Sequence, residues 1–291
     1  MPSLIDFRRR IRSVKNTQQI TKAMKMVSAA KLRRAQERVI AARPYAAMMR
    51  EILANLAQAA QSDEDASGSA WLARREPKNI DVVLVTSDKG LAGAFNSNLI
   101  KASERFASEH RDANISLSLV GRKGRDFYRR RNAVITGEYV NILAKPAYGD
   151  AANVATEIIR RYRDGETDAV YVINNDFKSV MTQTLSVQQL LPVDLAATGD
   201  DAAAANRDYI YEESPLHMLE RLMPRYVEVA IFRAMLETGA AEHAARMTAM
   251  DKASSNAKDV IEALTLYMNR VRQAAITKEI IEVVSGAAAA S

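Results

Sequence analysis

Nine residues near the C-terminus constrain this chain more than any other feature. Met247, Met250, Ser254, Ala257, Ile261, Leu264, Met268, Val271 and Ala275 follow one another at alternating spacings of three and four. That alternation is a heptad seam, which a helix carries when it packs lengthwise against another helix. No Pro or Gly falls between Ala240 and Ser285, so nothing in the local chemistry stops the helix over 241–286. The seam is rich in Met, Ala and Ser. It permits close approach but is only moderately apolar, so it needs one specific partner helix.

The first sixty residues supply that partner. Leu4, Phe7, Ile11 and Val14 open a three-four pattern, and Ala35, Val39, Ala42, Ala46, Met49, Leu53 and Leu56 continue it. Ser3 is placed as an N-cap with Asp6 three residues later, near the positive end of the helix dipole. Pro44 predicts a kink or local break. Two such helices at opposite ends of one chain, joined by a compact domain, pair antiparallel. Residues 1–60 also hold thirteen Lys or Arg against Asp6, Glu37 and Glu51, a local charge of +10 within a chain of net +6. The partner of this segment is therefore acidic: a protein surface, nucleic acid or an anionic membrane.

Between the ends the period changes. Residues 61–78 are polar and turn-rich and read as a linker. Ile80 to Thr86 is a β-branched run suited to a buried parallel strand. Helices are expected at 95–110, 123–131 and 150–163, and strands at 115–120, 133–136, 169–173 and 183–191. This alternation predicts a three-layer, Rossmann-like α/β domain with a mainly parallel sheet. Asp200 to Ala205 reads as a loop. Ser214-Pro215 starts the last helix, with Pro at its first position, and Pro224 bends the chain as it enters the long helix. The organisation expected is a coiled-coil helix over 1–60, an α/β domain over 79–195, and a second coiled-coil helix over 209–291.

Composition removes several chemistries. There is no Cys, which excludes disulfides and thiolate catalysis. His110, His217 and His243 have no metal-ligand spacing. The N-terminus lacks the apolar stretch of a signal peptide, and no apolar run is long enough to span a bilayer, so the chain is expected to be soluble and intracellular or peripheral to a membrane. The segment Ser87 to Asn96 places Gly90 and Gly93 before a helix, as a phosphate loop would. A P-loop, however, needs Lys-Ser/Thr directly after its last Gly, where this chain has Ala94-Phe95, and the three-Gly dinucleotide pattern is also missing. A tight turn that packs a helix on its strand is the reading preferred. Asp150, Glu157 and Asp176 have no spacing that recommends a carboxylate site. No active site, cofactor site or metal site is expected.

Three terminal motifs, Asn16 to Lys31, Ala245 to Asn256 and Arg272 to Ala287, together with the central Ser87 to Asn96, resemble the gamma subunits of F-type ATP synthases. Ala92 stands where many members carry Cys. The Cys-bearing regulatory insertion of plastid members is missing, and the N-terminus fits a bacterial or a mature mitochondrial form. The resemblance implies a rotor shaft of paired terminal helices inside three alpha and three beta subunits. It places the α/β domain near the foot, beside the epsilon subunit and a membrane ring of c subunits. It also implies that Met24, Arg246, Gln273, Thr277 and Glu279 face the beta subunits and that Tyr209 and Tyr211 sit near the c ring. Two other classes are weaker. A nucleic-acid arm would want aromatics among its basic residues, and the first sixty hold only Phe7 and Tyr45; a nucleotide-dependent enzyme would want the Gly motifs that fail here.

Overall fold

The computed structural model describes residues 4–60, 71, 75–180, 182–193 and 211–290, with side chains as far as residue 285. The Ser3 cap, most of the 61–78 linker and the 200–205 loop lie outside these residues. The elements in order are α1 (Leu4–Ala60), β1 (Asn79–Val85), α2 (Phe95–Glu109), β2 (Asn114–Val120), α3 (Arg122–Tyr128), β3 (Val134–Tyr139), α4 (Tyr148–Arg163), β4 (Ala169–Phe177), β5 (Gln183–Leu191) and α5 (Pro215–Ala290). They fall into two compact units, one of Met1–Ala29 with Arg246–Ser291 and one of Ala30–Ala245.

In the larger unit a five-stranded sheet has the order β3-β2-β1-β4-β5. β1 pairs in parallel with β2 and β4, and β2 with β3, while β5 runs antiparallel on β4. The two crossovers from β1 to β3 travel one way across the sheet and the crossover from β3 to β4 travels back. Right-handed connections then put α2 and α3 on one face and α4 on the other. Alternation along β1 serves both faces, since Val83 and Val85 join the main core on the α4 side. That core also takes Met49, Leu53, Leu56 and Ala57 from α1, and Leu219, Met223, Val227, Ile231 and Met235 from α5. Against the opposite face α2 buries Phe95, Leu99 and Phe106.

Helix α5 starts at Pro215 as the sequence indicates, with the Met218 amide donating to the Ser214 carbonyl. Of the kink or local break expected at Pro44, the break does not occur, because α1 runs through it as one helix. Pro44 faces solvent, while its neighbours are tied down. Arg43 donates to the Phe177 carbonyl at 2.8 Å and to Glu237, and Ala46 is buried. Packing on both sides of the proline outweighs the one helix hydrogen bond it removes.

Within the smaller unit the two chain ends run antiparallel. Phe7 meets the Tyr267 ring at 5.1 Å, Thr21 meets Ser254, and Lys25 meets Asp251, so one number rises as the other falls. Met250, Ser254 and Ala257 are buried, and Met247, Ile261, Leu264, Met268, Val271 and Ala275 are partly buried. Between Met250 and Ile261 the residues that separate these positions are exposed, apart from Ala253.

Candidate functional site

The facing seam on α1 is more regular than its apolar residues suggest. Between Val14 and Ala35 it continues through Gln18, Thr21, Lys25, Ser28 and Leu32, again at spacings of three and four. Polar side chains occupy core positions there, which hid the repeat from a search for apolar residues. In the smaller unit Thr21 and Ser254 share a hydrogen bond of 2.7 Å. Each hydroxyl also has a carbonyl in its own helix, Gln18 at 3.0 Å and Met250 at 2.9 Å. The Gln18 amide donates to the Ser254 carbonyl at 3.3 Å. This layer gives the pair one register, as buried polar groups do in coiled coils.

Past the first described turn of α1, helix α5 continues alone among the described residues. With Phe7 level with Tyr267, the last helical stretch from about residue 271 extends roughly 30 Å with no partner helix among the described residues. It is not a polar helix. Ile276, Ile280 and Val283 are 48%, 58% and 72% exposed, and Ile281 and Val284 are exposed beside them. Spacings of four and three put the first three along one stripe. On α1, meanwhile, Arg8, Arg9, Arg10, Arg12, Lys15 and Lys22 are exposed and make no ion pair among the described residues. The unit thus offers a basic helix face and an apolar helix end, both without partners among the described residues.

Of the residues carried over by resemblance, Gln273, Thr277 and Glu279 are exposed on the unpaired stretch, and the Thr277 hydroxyl donates to the Gln273 carbonyl at 3.0 Å. Arg246 lies on the same helix but roughly 40 Å away, twenty-seven residues at 1.5 Å each. It is 9% exposed. Met24 is half-buried beside the polar layer. The structure therefore does not gather these five into one cluster. Tyr211 is half-buried against the main core of the larger unit, and Tyr209 lies outside the described residues.

The glycine loop after β1 is organised by its own side chains. Asn96 Oδ1 accepts both the Ser87 amide, at 3.0 Å, and the Ser87 hydroxyl, at 2.9 Å. The Phe95 amide, first of α2, donates to the Ala92 carbonyl at 3.3 Å. These amides are spent inside the turn instead of pointing at an anion. Nearby, Gly121 sits at φ +99°, where an added Cβ would come within 2.1 Å of the Thr86 carbonyl oxygen. Thr86 Oγ1 in turn takes the Gly124 amide at 2.9 Å. The carboxylates considered from the sequence have local roles: Asp150 accepts the Ala147 amide and Glu157 pairs with Arg160. No group of His, Asp and Glu among the described residues has metal-binding geometry.

One buried carboxylate escaped the sequence reading. Asp81 lies in β1, 1% exposed, bonded to Arg161 at 2.8 Å and accepting from Ser118 at 3.3 Å. Burial pushes its pKa up to about 6, against the pull of Arg161 and Ser118. Its place within an apolar run disguised it.

Comparison with known proteins agrees with this architecture. The ATP synthase family model matches residues 3–290. The ATP synthase gamma chain of Solibacter usitatus (strain Ellin6076) is 58% identical over 290 residues, covering 100% of both chains. That of Geobacter sp. (strain M21) is 50% identical, covering 98% of each. Among solved structures, the central stalk and c ring of Tetrahymena thermophila mitochondrial ATP synthase contains a chain 29% identical, with a TM-score of 0.63 over 81% of this chain and 99% of that one. A rotor chain of Euglena gracilis mitochondrial ATP synthase, 19% identical with a TM-score of 0.67 over 94% and 98%, shares the fold. No helix among the described residues is long and apolar enough to cross a membrane.

Proposed function

Because the chain belongs to the family of ATP synthase gamma chains, we infer that it is the central-stalk rotor, which couples turning of a membrane c ring to conformational cycling of catalytic beta subunits. It has no active site of its own; the complex carries out ATP synthesis, or hydrolysis in reverse. One copy joins three alpha and three beta subunits, an epsilon subunit and the c ring, and no nucleic acid. Its membrane association is peripheral, through the complex. The bacterial relatives favour the cytoplasmic face of a bacterial plasma membrane over the matrix face of a mitochondrial inner membrane.

The observation that carries this reading is the unpaired apolar end of α5. Exposed Ile276, Ile280, Ile281, Val283 and Val284, on a stretch of helix with no partner among the described residues, form an interaction surface. A ring of subunits closing around a single helix provides an apolar sleeve in which it can turn. Coupling then requires faces that differ. A rotor that touches two beta conformations equally shifts neither, and moving one from about 1:99 to 99:1 takes roughly 5.5 kcal/mol of differential contact. The basic face of α1 and the apolar stripe of α5 are such a pair of faces.

We assign beta contacts to Met24, Arg246, Gln273, Thr277 and Glu279, and foot contacts near the c ring to Tyr209 and Tyr211. Arg246 reaches out only through a small exposed edge. An exposed ion pair contributes about 0–1 kcal/mol, so the coupling is shared among many contacts. The test is ATP synthesis, driven by an imposed proton gradient, in vesicles with equal assembly. Arg246→Ala or Gln273→Ala slows synthesis and leaves it measurable, and the two together impair it further. Arg246→Ala alone abolishing synthesis in a fully assembled complex would sink the shared-contact account.

A further inference from the structure

Inside the larger unit, β4, β5, α1 and α5 line a cleft of about 70 Å³ that opens to solvent, with exposed Arg50 and Gln188 at its edge and Arg233, Tyr226, Asn174 and Asp176 further in. Its position is unusual for polar groups. Val172, Asn174 and Asp176 alternate on one face of β4, and Val172 belongs to the main apolar core. The core therefore gives way to a polar chamber at the free end of the strand.

The chamber is unfinished electrostatically. Arg50 and half-buried Arg233 make no hydrogen bond or ion pair among the described residues, although Asp176 shares the cavity with them. Asp176 Oδ1 instead takes the buried Asn174 amide at 3.1 Å, and its Oδ2 takes none. The Tyr226 phenol also has no hydrogen bond among the described residues. Burial raises its pKa, and Arg50 and Arg233 are near enough to pull it back down. Two guanidiniums, one exposed and one half-buried, thus line the same small space as a phenol and an amide, and neither is neutralised by an ion pair among the described residues.

Size and charge narrow the occupant. The volume is well below the roughly 300–1,000 Å³ of small-molecule sites, yet it exceeds what one water needs, about 10–15 Å³. A tetrahedral oxyanion fits within that space. Planar guanidiniums suit such an anion through paired N–H donors. The open Asp176 oxygen adds selectivity, because it accepts a hydrogen bond from an anion that still carries a proton and repels one that does not. Hydrogen phosphate has that proton at neutral pH and sulfate lacks it.

We propose that this chamber is a binding site for inorganic phosphate, held by Arg50 and Arg233 and distinguished from sulfate by Asp176. The site is independent of the rotor assignment, since it rests only on groups within one unit. The test is isothermal titration of the full chain with phosphate, sulfate and glycerol phosphate at constant ionic strength. Phosphate binds at millimolar concentration or tighter, and sulfate and the ester dianion, neither of which carries a proton for Asp176, bind at least tenfold more weakly. Asp176→Asn brings sulfate up to the level of phosphate. Arg233→Gln and Arg50→Gln each weaken phosphate at least tenfold, with folding checked by circular dichroism. Absence of phosphate binding, equal binding of phosphate and sulfate by the unaltered chain, or binding unaffected by either arginine change overturns the proposal.

Discussion

The hydroxyl pair in the polar layer should couple the two terminal helices more durably than the shorter ion pair beside it. Thr21 and Ser254 are buried, and each keeps a carbonyl acceptor in its own helix when the other is removed. Thr21→Val and Ser254→Ala are close to isosteric, so neither leaves a cavity or a stranded donor. Each single change then loses only the shared bond, about 0.5–1.5 kcal/mol net. The double change loses that same bond once, so a double-mutant cycle should return a coupling of about 1 kcal/mol. Lys25 and Asp251 are closer, at 2.6 Å, but 42% and 61% exposed at their side chains. Their coupling should be within about 0–1 kcal/mol and fade as salt screens it. The assay is native-state hydrogen exchange over residues 15–28 and 247–258 of the full chain, at low and high salt. Additive effects of Thr21→Val and Ser254→Ala, or a hydroxyl coupling that disappears in salt together with the ion pair, would refute the reasoning.

Three further outcomes follow from the larger unit. The purified chain should neither bind ATP tightly nor hydrolyse it, because the turn amides after β1 are used internally; calorimetry showing stoichiometric micromolar binding would contradict this. Asp81 has its pKa raised from about 3.9 in an unfolded chain to about 6, chiefly by burial. The stability it contributes is therefore present below about pH 4 and lost as pH rises through about 6. Asp81→Asn should gain on the unaltered chain between pH 4 and pH 8, by at most about 3 kcal/mol. Arg161 keeps Glu166 at 3.2 Å, so it is not stranded; urea unfolding in which the variant falls further behind at pH 8 would reverse the sign. Gly121→Ala should cost at least about 3 kcal/mol, since it combines a left-handed φ with a clash at the Thr86 carbonyl, and normal urea stability would show that the turn gives way.

What could be read in the sequence followed the strength of each periodic signal. β1, β2 and β5 lie within a residue of their expected spans, because β-branched runs flanked by turn residues leave few alternatives. The α5 seam was legible because apolar or small residues hold its nine positions. The α1 seam was legible only at its two ends, since Gln18, Thr21, Lys25 and Ser28 follow the spacing but not the polarity. Pro44 does not break the helix because the rule for proline is local, whereas the helix is held by Arg43, Ala46 and Met49 against residues far away in the chain. The candidate contact residues came from motif likeness alone, and likeness gave no warning that Arg246 is buried and far along the helix from Gln273. Asp81 could have been suspected only as the one charge inside an otherwise apolar strand.

The central claim is that this chain turns against its partners. The sequence has no Cys, so one cysteine introduced at an exposed residue of the larger unit, such as Lys101→Cys, gives a unique handle. The decisive measurement is to fix the alpha and beta subunits to a surface, attach a bead through that cysteine and supply ATP. The account predicts unidirectional rotation of the bead in three-fold steps, one set per turn. A bead that stays still while the same immobilised complexes hydrolyse ATP would contradict it.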